Sequence, residues 1–333
     1  MGTLGPLVVG VDGGQTSTRC VLATLDGRLL GQGVGSGLTH LAAEGSRERY
    51  VAALGEAIGG AWREAALAPR AVETIALGLT GVEGGTVEAE TVGVLLDSLI
   101  EARWVTVEND GVTALYGAHA GRPGAIVISG TGTLGLGLRQ DGHRVRVGGW
   151  GWLVGDEGSA VAIGRSGLRA ALAAFDAVGP PTALESSVRR HFGVDRMHDV
   201  KRRVYATAFG ARGFAALATI VAAAAAGGDA VAGEIISQAG RDLARTAAAL
   251  LSRLDFGDEP VPLALVGGGF EHLEGLRAAF ETALAASRVR TRLVSPDLPP
   301  VLGAVLLALR ACEASLTAAL PGLRASTGTL RFA

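Results

Sequence analysis

The sequence predicts an α/β protein made of two similar halves. The chain has 333 residues, which is too long for one ordinary core and suggests about two domains. The strands and helices that open the chain start again in the same order near its middle. Each half also has a glycine-rich turn directly after its first predicted strand. We expect a division near residues 116–124, with an N-terminal domain of residues 1–118 and a larger domain of residues 119–299.

The first half opens with three predicted strands, because short β-branched and apolar runs are separated by glycine turns. Apolar residues at helical spacing then predict a helix over 46–66. Two further strands follow, each with a helix after it. The five predicted strands are Pro6–Val11, Arg19–Leu25, Leu29–Val34, Thr74–Leu79 and Trp104–Val107.

The second half repeats the pattern with a larger helical insertion. A first strand leads into a hairpin around Asp141-Gly142, and a mostly helical region extends over about residues 156–254. A final helix over 300–319 begins at a proline pair. The predicted strands are Ala125–Ile128, Leu134–Arg139, His143–Val147, Val261–Val266 and Val289–Val294.

Composition excludes several classes of partner. The formal net charge is −2 and 48% of the residues are hydrophobic, which is typical of a compact soluble protein and gives no basis for nucleic-acid or membrane binding. The N-terminus has no basic start followed by an apolar run, so we expect no signal peptide. The two cysteines, Cys20 and Cys312, lie in apolar runs, as expected in a reducing compartment. We therefore expect a cytoplasmic protein that acts on a small molecule.

Three glycine turns share one form, in which small residues or hydroxyls follow a buried strand. They are Asp12–Ser17, Ser129–Thr133 and Val266–Gly269. Glycine lets backbone N–H groups approach phosphate oxygens, and hydroxyls add further donors. Each one alone is also compatible with an ordinary tight turn. Their recurrence at three strand ends favours a phosphate-binding site.

Two other phosphate motifs are excluded. The string Gly130-x-Gly132-x-x-Gly135 matches a dinucleotide fingerprint, but that fingerprint needs a helix directly after the glycines. The residues after Gly132 alternate as a hairpin strand instead. A P-loop needs a Gly-Lys pair, and the only lysine, Lys201, lies in no glycine loop.

Two aspartates at strand ends are candidates for chemistry. Asp12 precedes the first glycine turn, where a carboxylate can hold Mg²⁺ through water; it can also simply stabilise the turn. Asp110 ends the last strand of the first half, at the expected mouth of an interdomain cleft, where a general base for a hydroxyl nucleophile must lie. An N-cap role for the following helix is the alternative, and both roles can hold together.

A tryptophan-rich loop suggests a sugar site. Trp150 and Trp152 stand among glycines, and Asp156-Glu157-Gly158-Ser159 follows. Aromatic faces stack on sugar rings and carboxylates bind sugar hydroxyls, whereas a core aromatic pair with a capping motif is the alternative. The histidines lack metal-ligand spacing. His40 stands apart, because it follows the third strand near the expected cleft.

These segments together resemble the N-acetylglucosamine kinases of the BadF/BadG/BcrA/BcrD ATPase family, within the sugar kinase/actin/Hsp70 superfamily. The matching segments are residues 9–16, 109–111, 128–133 and 148–159. The similarity covers most of the chain, and residues 148–159 are its most specific part. The resemblance implies two actin-like (ribonuclease H-like) domains that close an interdomain cleft on ATP, Mg²⁺ and a hexosamine. It also implies a homodimer, and a last helix that packs back on the first domain.

The resemblance also implies roles for single residues. Asp110 would accept the proton of the sugar 6-hydroxyl, and Asp12 remains the candidate metal ligand. The implied nucleotide contacts are Gly13, Gly14, Thr16, Gly130, Thr131, Gly132, Ala215, Gly267, Gly268 and His272. The implied sugar contacts are Thr39, His40, Asp110, Gly149, Trp150, Gly151 and Asp156.

Two departures from the family leave the acceptor open. Gln15 replaces a third glycine in the first turn, and Thr39 replaces the asparagine that binds a sugar hydroxyl in human-type kinases. A threonine has one hydroxyl where an amide has a donor and an acceptor. N-acetylglucosamine is the favoured acceptor, and glucosamine or another hexose stays open.

Two other functions are compatible with the fold. One is an ATPase that activates radical dehydratases through an iron–sulfur cluster shared by two subunits, which would need thiolates at an interface. The positions of Cys20 and Cys312 argue against it. The other is a sugar or nucleotide sensor without catalysis. The presence of both Asp12 and Asp110 argues against a degenerate site.

Overall fold

The computed structural model describes residues 4–38, 41 and 44–332. Contacts between residues divide the chain into two compact units. The first unit holds the chain up to Pro123 together with the segment from Ser295 onwards, and the second unit is Gly124–Val294. The domain limits expected at residues 118 and 299 stay a prediction.

Strands and helices alternate along the described residues. The strands are β1 (Leu7–Gly13), β2 (Ser17–Thr24), β3 (Leu29–Ser36), β4 (Val72–Leu79), β5 (Ala102–Asn109), β6 (Gly124–Ser129), β7 (Thr133–Leu138), β8 (Arg144–Gly148), β9 (Val261–Val266) and β10 (Thr291–Val294). The helices are α1 (Ser46–Glu64), α2 (Val87–Leu96), α3 (Asp110–His119), α4 (Ala160–Phe175), α5 (Leu184–Phe192), α6 (His198–Val204), α7 (Gly210–Ala226), α8 (Ala230–Leu251), α9 (Gly268–His272), α10 (Leu276–Ala286), α11 (Pro300–Ala311) and α12 (Leu316–Thr327).

The two units contain sheets of the same design. The first sheet has the order β3-β2-β1-β4-β5 and the second has the order β10-β9-β6-β7-β8. In each sheet the first three strands along the chain form an antiparallel meander, and the last two join parallel to the first strand. The repeated α/β pattern predicted from the sequence is thereby confirmed. The glycine turn after β6 leads into the strand β7, as predicted, so a dinucleotide fold is excluded.

Helix α1 covers one face of the first sheet because β3 presents glycines to it. A side chain on Gly31, Gly33 or Gly35 would run into the backbone carbonyls of Ala61, Ala57 and Ala53, respectively. The helix therefore lies unusually close to the strand. The core beneath it contains Tyr50, Leu54, Ile58 and Trp62 together with apolar residues of β1, β2 and β4.

The end of the chain packs on the first unit. Helix α11 is almost entirely buried and contacts β1, β4 and α3. The single helix expected over 300–319 is wrong in extent, since α11 ends at Ala311 and α12 begins at Leu316. Helix α12 continues through Pro321, and Leu323 is fully buried.

The second unit is richer in helices, as the sequence predicts for residues 156–254. Helices α4, α7 and α8 surround a core that includes Leu217, Leu243 and Phe280. Within the described ranges, no single helix has both the length and the apolar composition to cross a bilayer, and α7 and α8 meet those two criteria only as a pair bent by 118°.

Candidate active site

Three parallel strand ends bring polar residues together in the first unit. Asp12 lies opposite Gly78 in the pairing of β1 with β4, and Leu79 lies opposite Asn109 in the pairing of β4 with β5. The carboxyl ends of parallel strands meet at one edge of a sheet, where α/β proteins commonly bind ligands. Asp12 and Asp110, the two candidates predicted at strand ends, therefore share this edge.

Asn109, rather than Asp110, caps helix α3. The Asn109 side chain accepts a hydrogen bond of 3.0 Å from the backbone N–H of Gly111, and its backbone is extended. Asp110 lies one residue further on, inside the first helical turn. The capping alternative for Asp110 is therefore wrong, and its carboxylate is left for another role.

Asp110 is partly buried, and burial raises the pKa of its carboxyl to about 6. Hydrogen bonds from the Gly111 backbone N–H and from the Thr80 hydroxyl act in the opposite direction, and the negative charge of Glu83 adds to the rise. Thr80 is itself held by its backbone N–H, which donates to the Gly13 carbonyl at 2.8 Å. The first glycine turn and Asp110 thus share one neighbour.

Asp12 has an even higher proton affinity. Burial raises the pKa of its carboxyl to about 7, and the negative charge of Asp110 adds to the rise. The Thr113 hydroxyl, whose oxygen lies 3.1 Å from Asp12 Oδ1, and the positive charge of Arg19 lower it. Two neighbouring carboxyl groups whose pKa values are both raised form a site that electrostatically favours a bound cation.

The residues around Asp12 fit a magnesium site of the water-rich kind. Among the residues that the structure describes, no group of three or more His, Cys, Asp or Glu side chains could hold a metal. Mg²⁺ keeps several waters and commonly takes one or two carboxylates together with substrate phosphates. A single partly buried carboxylate beside a second one meets that requirement.

The first glycine turn is fixed by its own backbone. The Gly14 N–H donates to Ser17 O at 3.0 Å, so it is committed within the turn. A side chain on Gly13 would lie 2.7 Å from both Leu38 and Leu79. Thr16 is exposed at the tip of the turn, and its hydroxyl is a donor that this turn can offer to a phosphate.

The second unit gathers its predicted residues at the matching edge of its own sheet. Ile128 lies opposite Val266 in the pairing of β6 with β9, so the turns that follow them lie side by side. The pairing of β7 with β8 brings Gly148 opposite Leu134. The residues gathered in this way are Gly130, Thr131, Gly132, Gly149, Trp150, Gly151, Gly267 and Gly268.

The glycines of this edge allow close packing of backbone. Gly267 has a φ of 100°, and a side chain there would lie 2.5 Å from the Ser129 carbonyl. A side chain on Gly268 would lie 3.2 Å from the ring of His272, which places that histidine beside the third glycine turn. Ala215 lies on α7 and is not among the residues that these strand ends bring together.

Asp156 offers a buried acceptor. Its backbone is left-handed, with a φ of 64°, and its carboxylate accepts from the N–H groups of Thr133 and Gly151. Burial raises its pKa. A side chain on Gly132 would lie 2.6 Å from Asp156 Oδ2, while Oδ1 is buried without a hydrogen-bond partner among the described residues. The cap of α4 is Ser159, so the capping alternative does not account for Asp156.

The two tryptophans of the loop have different environments. Trp150 is 77% exposed. Trp152 packs against Phe214 with ring centroids 6.1 Å apart, and its carbonyl accepts from Arg165 at 2.9 Å. Trp150 is therefore available to stack on a ligand, whereas Trp152 packs against its own unit.

Four candidate positions lie outside the described residues or were not predicted from the sequence. Thr39 and His40, the expected sugar contacts after β3, are not among the described residues. Thr80 and Thr113 were not singled out from the sequence. The sequence signal that could have identified Thr80 is its position at a strand end. The signal for Thr113 is its position one helical turn after Asp110.

Known proteins of one family resemble this chain along most of its length. The chain matches the BadF/BadG/BcrA/BcrD ATPase family over residues 9–308. It is 29% identical, over 306 residues, to the N-acetylmuramic acid/N-acetylglucosamine kinase of Clostridium acetobutylicum, covering 92% of this chain and 99% of the relative. It is 27% identical, over 325 residues, to the N-acetyl-D-glucosamine kinase of Dictyostelium discoideum, covering 91% and 98%.

A solved structure shows the same fold. The crystal structure of a proposed N-acetylglucosamine kinase from Chromobacterium violaceum aligns with a TM-score of 0.73 at 31% identity, covering 91% of this chain and 99% of that one. The expected actin-like α/β fold is thereby confirmed, as is the resemblance of the sequence motifs. The chain belongs to the BadF/BadG/BcrA/BcrD ATPase family.

Proposed function

We propose that this chain transfers the γ-phosphoryl group of ATP to the 6-hydroxyl of an amino sugar, with N-acetylglucosamine as the acceptor. The chain is an ATP-dependent sugar kinase, because the curated relatives that it matches along nearly their whole length are amino-sugar kinases. The acceptor, the hydroxyl and the roles of single residues are the proposal.

The environment of Asp110 carries the proposal. A general base works best when its pKa lies near the operating pH. Burial raises the pKa of Asp110 to about 6, so the carboxylate is ionised at neutral pH and can still take a proton readily. Its partial exposure at a strand end leaves it open to a substrate.

The proposed reaction is an in-line displacement. The sugar 6-oxygen attacks the γ-phosphorus while its proton passes to Asp110. The bond between the γ-phosphorus and the bridging oxygen breaks, and ADP leaves with the electron pair. Positioning and electrostatic stabilisation supply most of the rate enhancement in such a transfer.

The nucleotide is assigned to the glycine turns. The hydroxyls of Thr16 and Thr131 donate to phosphate oxygens, and the small residues beside them allow close approach. The adenosine is assigned to Gly267, Gly268 and His272 because they adjoin one another, with Ala215 as a further contact. The remaining assigned contacts are Gly13, Gly14, Gly130 and Gly132.

The sugar is assigned to the tryptophan loop and to Asp156. The unpartnered Oδ1 of Asp156 can accept a hydrogen bond from a sugar hydroxyl, which would relieve the cost of a buried acceptor without a donor. The exposed face of Trp150 can stack on the apolar face of the ring. Gly149 and Gly151, together with Thr39 and His40, complete the assigned contacts.

Asp12 would hold Mg²⁺, directly or through water. When bound, the metal supplies charge stabilisation at the β- and γ-phosphates. The contribution of the protein is the position of the carboxylate near the end of β1.

The iron–sulfur alternative gains no support from Cys20. Cys20 is fully buried in the core of the first unit, and burial raises the pKa of its thiol. A cluster shared between subunits needs accessible thiolates. Cys20 meets neither condition.

A panel of acceptors tests the proposal. ADP release is followed with ATP and Mg²⁺ alone, and then with N-acetylglucosamine, glucosamine, N-acetylmannosamine, N-acetylmuramic acid or glucose. Strong stimulation by N-acetylglucosamine is expected. Stimulation by glucose alone would contradict an amino-sugar acceptor, and release that no sugar stimulates would contradict a kinase.

A substitution tests the proposed base. Asp110→Asn keeps the size of the side chain and removes the proton acceptor, so turnover should fall by about 10²–10⁴-fold while ATP binding is kept. The control is Asp97→Asn, which changes an exposed carboxylate of the same unit and should leave turnover unchanged. Near-normal turnover of Asp110→Asn would remove Asp110 from this role.

A further inference from the structure

One buried hydroxyl connects the two carboxylates of the first unit. Thr113 is fully buried on α3, one helical turn after Asp110. Its hydroxyl oxygen lies 3.1 Å from Asp12 Oδ1 and 2.8 Å from the backbone carbonyl of Asp110. A single side chain thus contacts the end of β1 and the start of α3.

The surroundings of Thr113 leave it little freedom. Gly78 faces Asp12 across the β1–β4 pairing, and a side chain on Gly78 would overlap both the methyl and the hydroxyl of Thr113. On the other side, α11 approaches so closely that a side chain on Gly303 would overlap the Thr113 carbonyl. Two glycines therefore make the space in which this threonine reaches Asp12.

Such a contact has a specific physical effect. A carboxylate with a fixed hydrogen-bond donor has fewer rotamers available, so the donor holds its oxygens in a defined direction. Hydrogen bonds to charged groups are also stronger than those between neutral groups. Without Thr113, Asp12 would lose this orientation.

We propose that Thr113 is a positioning residue for phosphoryl transfer, which orients Asp12 toward the metal of the Mg·ATP complex and fixes it relative to Asp110. The inference rests on the proposed function for the identity of the metal complex. It concerns a side chain that acts through Asp12, so its effect should be seen in the binding of Mg·ATP as well as in turnover.

The test compares ATP binding with Mg²⁺ and with EDTA by titration calorimetry. In wild type, Mg²⁺ should tighten ATP binding. We call the factor by which Mg²⁺ tightens ATP binding the gain from Mg²⁺. Thr113→Val keeps the shape of the side chain and removes the hydroxyl, so this gain should fall by about tenfold or more, while the ATP affinity in EDTA stays unchanged. Thr113→Ser, which keeps the hydroxyl, should restore the gain.

Thr74→Val is the matched control. Thr74 is also fully buried, it lies on β4 of the same sheet, and its hydroxyl has no hydrogen-bond partner among the described residues. This variant should keep the full gain from Mg²⁺. An equal loss in Thr74→Val, or a full gain in Thr113→Val, would overturn the inference. If Thr113→Val does not fold, Thr113→Ala carries the same expectation.

The outcomes separate this inference from the proposed function. If wild type phosphorylates an amino sugar and Thr113→Val keeps the gain from Mg²⁺, the positioning role is wrong and the kinase stands. If wild type shows a gain from Mg²⁺ that depends on Thr113 but phosphorylates no sugar, the positioning role stands and the proposed acceptor is wrong.

Discussion

Asp12 and Asp110 illustrate how a site can be visible in a sequence while its chemistry is not. Asp12 lies near the end of β1 and Asp110 directly follows β5, and these strand-end positions are enough to make both residues candidates. Their raised pKa values depend on burial, on each other and on hydroxyls from Thr80 and Thr113. Those neighbours are set by the register of parallel strands, which the sequence pattern does not specify.

The pKa of Asp110 predicts a pH dependence of the reaction. The carboxylate must be ionised to accept a proton, so kcat/KM for the sugar should fall as pH drops through about 6. The Thr80 hydroxyl lowers the pKa of Asp110. Thr80→Val should therefore move the acid limb to higher pH, whereas Thr80→Ser should leave it in place. The check is a profile of kcat/KM from about pH 5 to pH 9, and a limb that moves to lower pH would contradict the assignment.

Alanine substitution of the two tryptophans of the loop should have different effects, on sugar binding in one case and on stability in the other. Trp150 is largely exposed, so Trp150→Ala should raise KM for the sugar several-fold, roughly the worth of one stacking contact, with an unchanged melting temperature. Trp152 packs against Phe214, so Trp152→Ala should lower the free energy of unfolding by about 1–3 kcal/mol. Steady-state kinetics with thermal unfolding of both variants checks this. A loss of stability in Trp150→Ala would argue against a ligand-facing side chain.

At the scale of elements, local sequence patterns identify most of the strands. They identify several element boundaries less accurately. The alternation after Gly132 correctly predicts β7 and so separates this turn from a dinucleotide motif. The single helix over 300–319 is wrong because the chain turns after Ala311, and α12 then tolerates Pro321 in its interior. Burial of Leu323 stabilises that helix despite its proline, and such tertiary contacts are not visible in a local pattern.

The close contact between α1 and β3 gives a test of packing. In Gly33→Ala the new methyl would overlap the Ala57 carbonyl, so the free energy of unfolding should fall by about 1–3 kcal/mol or more. Gly93 lies in the interior of α2 with nothing within 4 Å of an added methyl. Gly93→Ala should therefore stabilise the protein by about 0.5–1 kcal/mol. Urea denaturation of the two variants measures the difference, and equal effects would contradict the close approach of α1.

At the scale of the whole molecule, the chain uses one sheet design twice. The opening meander and the two parallel strands recur in the same order, and in both sheets the glycine turns follow the strands at the parallel edge. This repeat is predictable because hairpin turns and strand-end glycines recur in the sequence. The partners of each strand and the buried Oδ1 of Asp156 arise only from the assembled sheets.

The measurement that tests the central claim most directly is the position of the phosphate in the product. The protein is incubated with ATP, Mg²⁺ and N-acetylglucosamine, and the product is examined by phosphorus–proton correlation NMR. The proposed role of Asp110 predicts coupling of the new phosphorus to the two protons on carbon 6, with ADP formed in equal amount. Phosphate on another carbon, or inorganic phosphate released without a sugar phosphate, would contradict it.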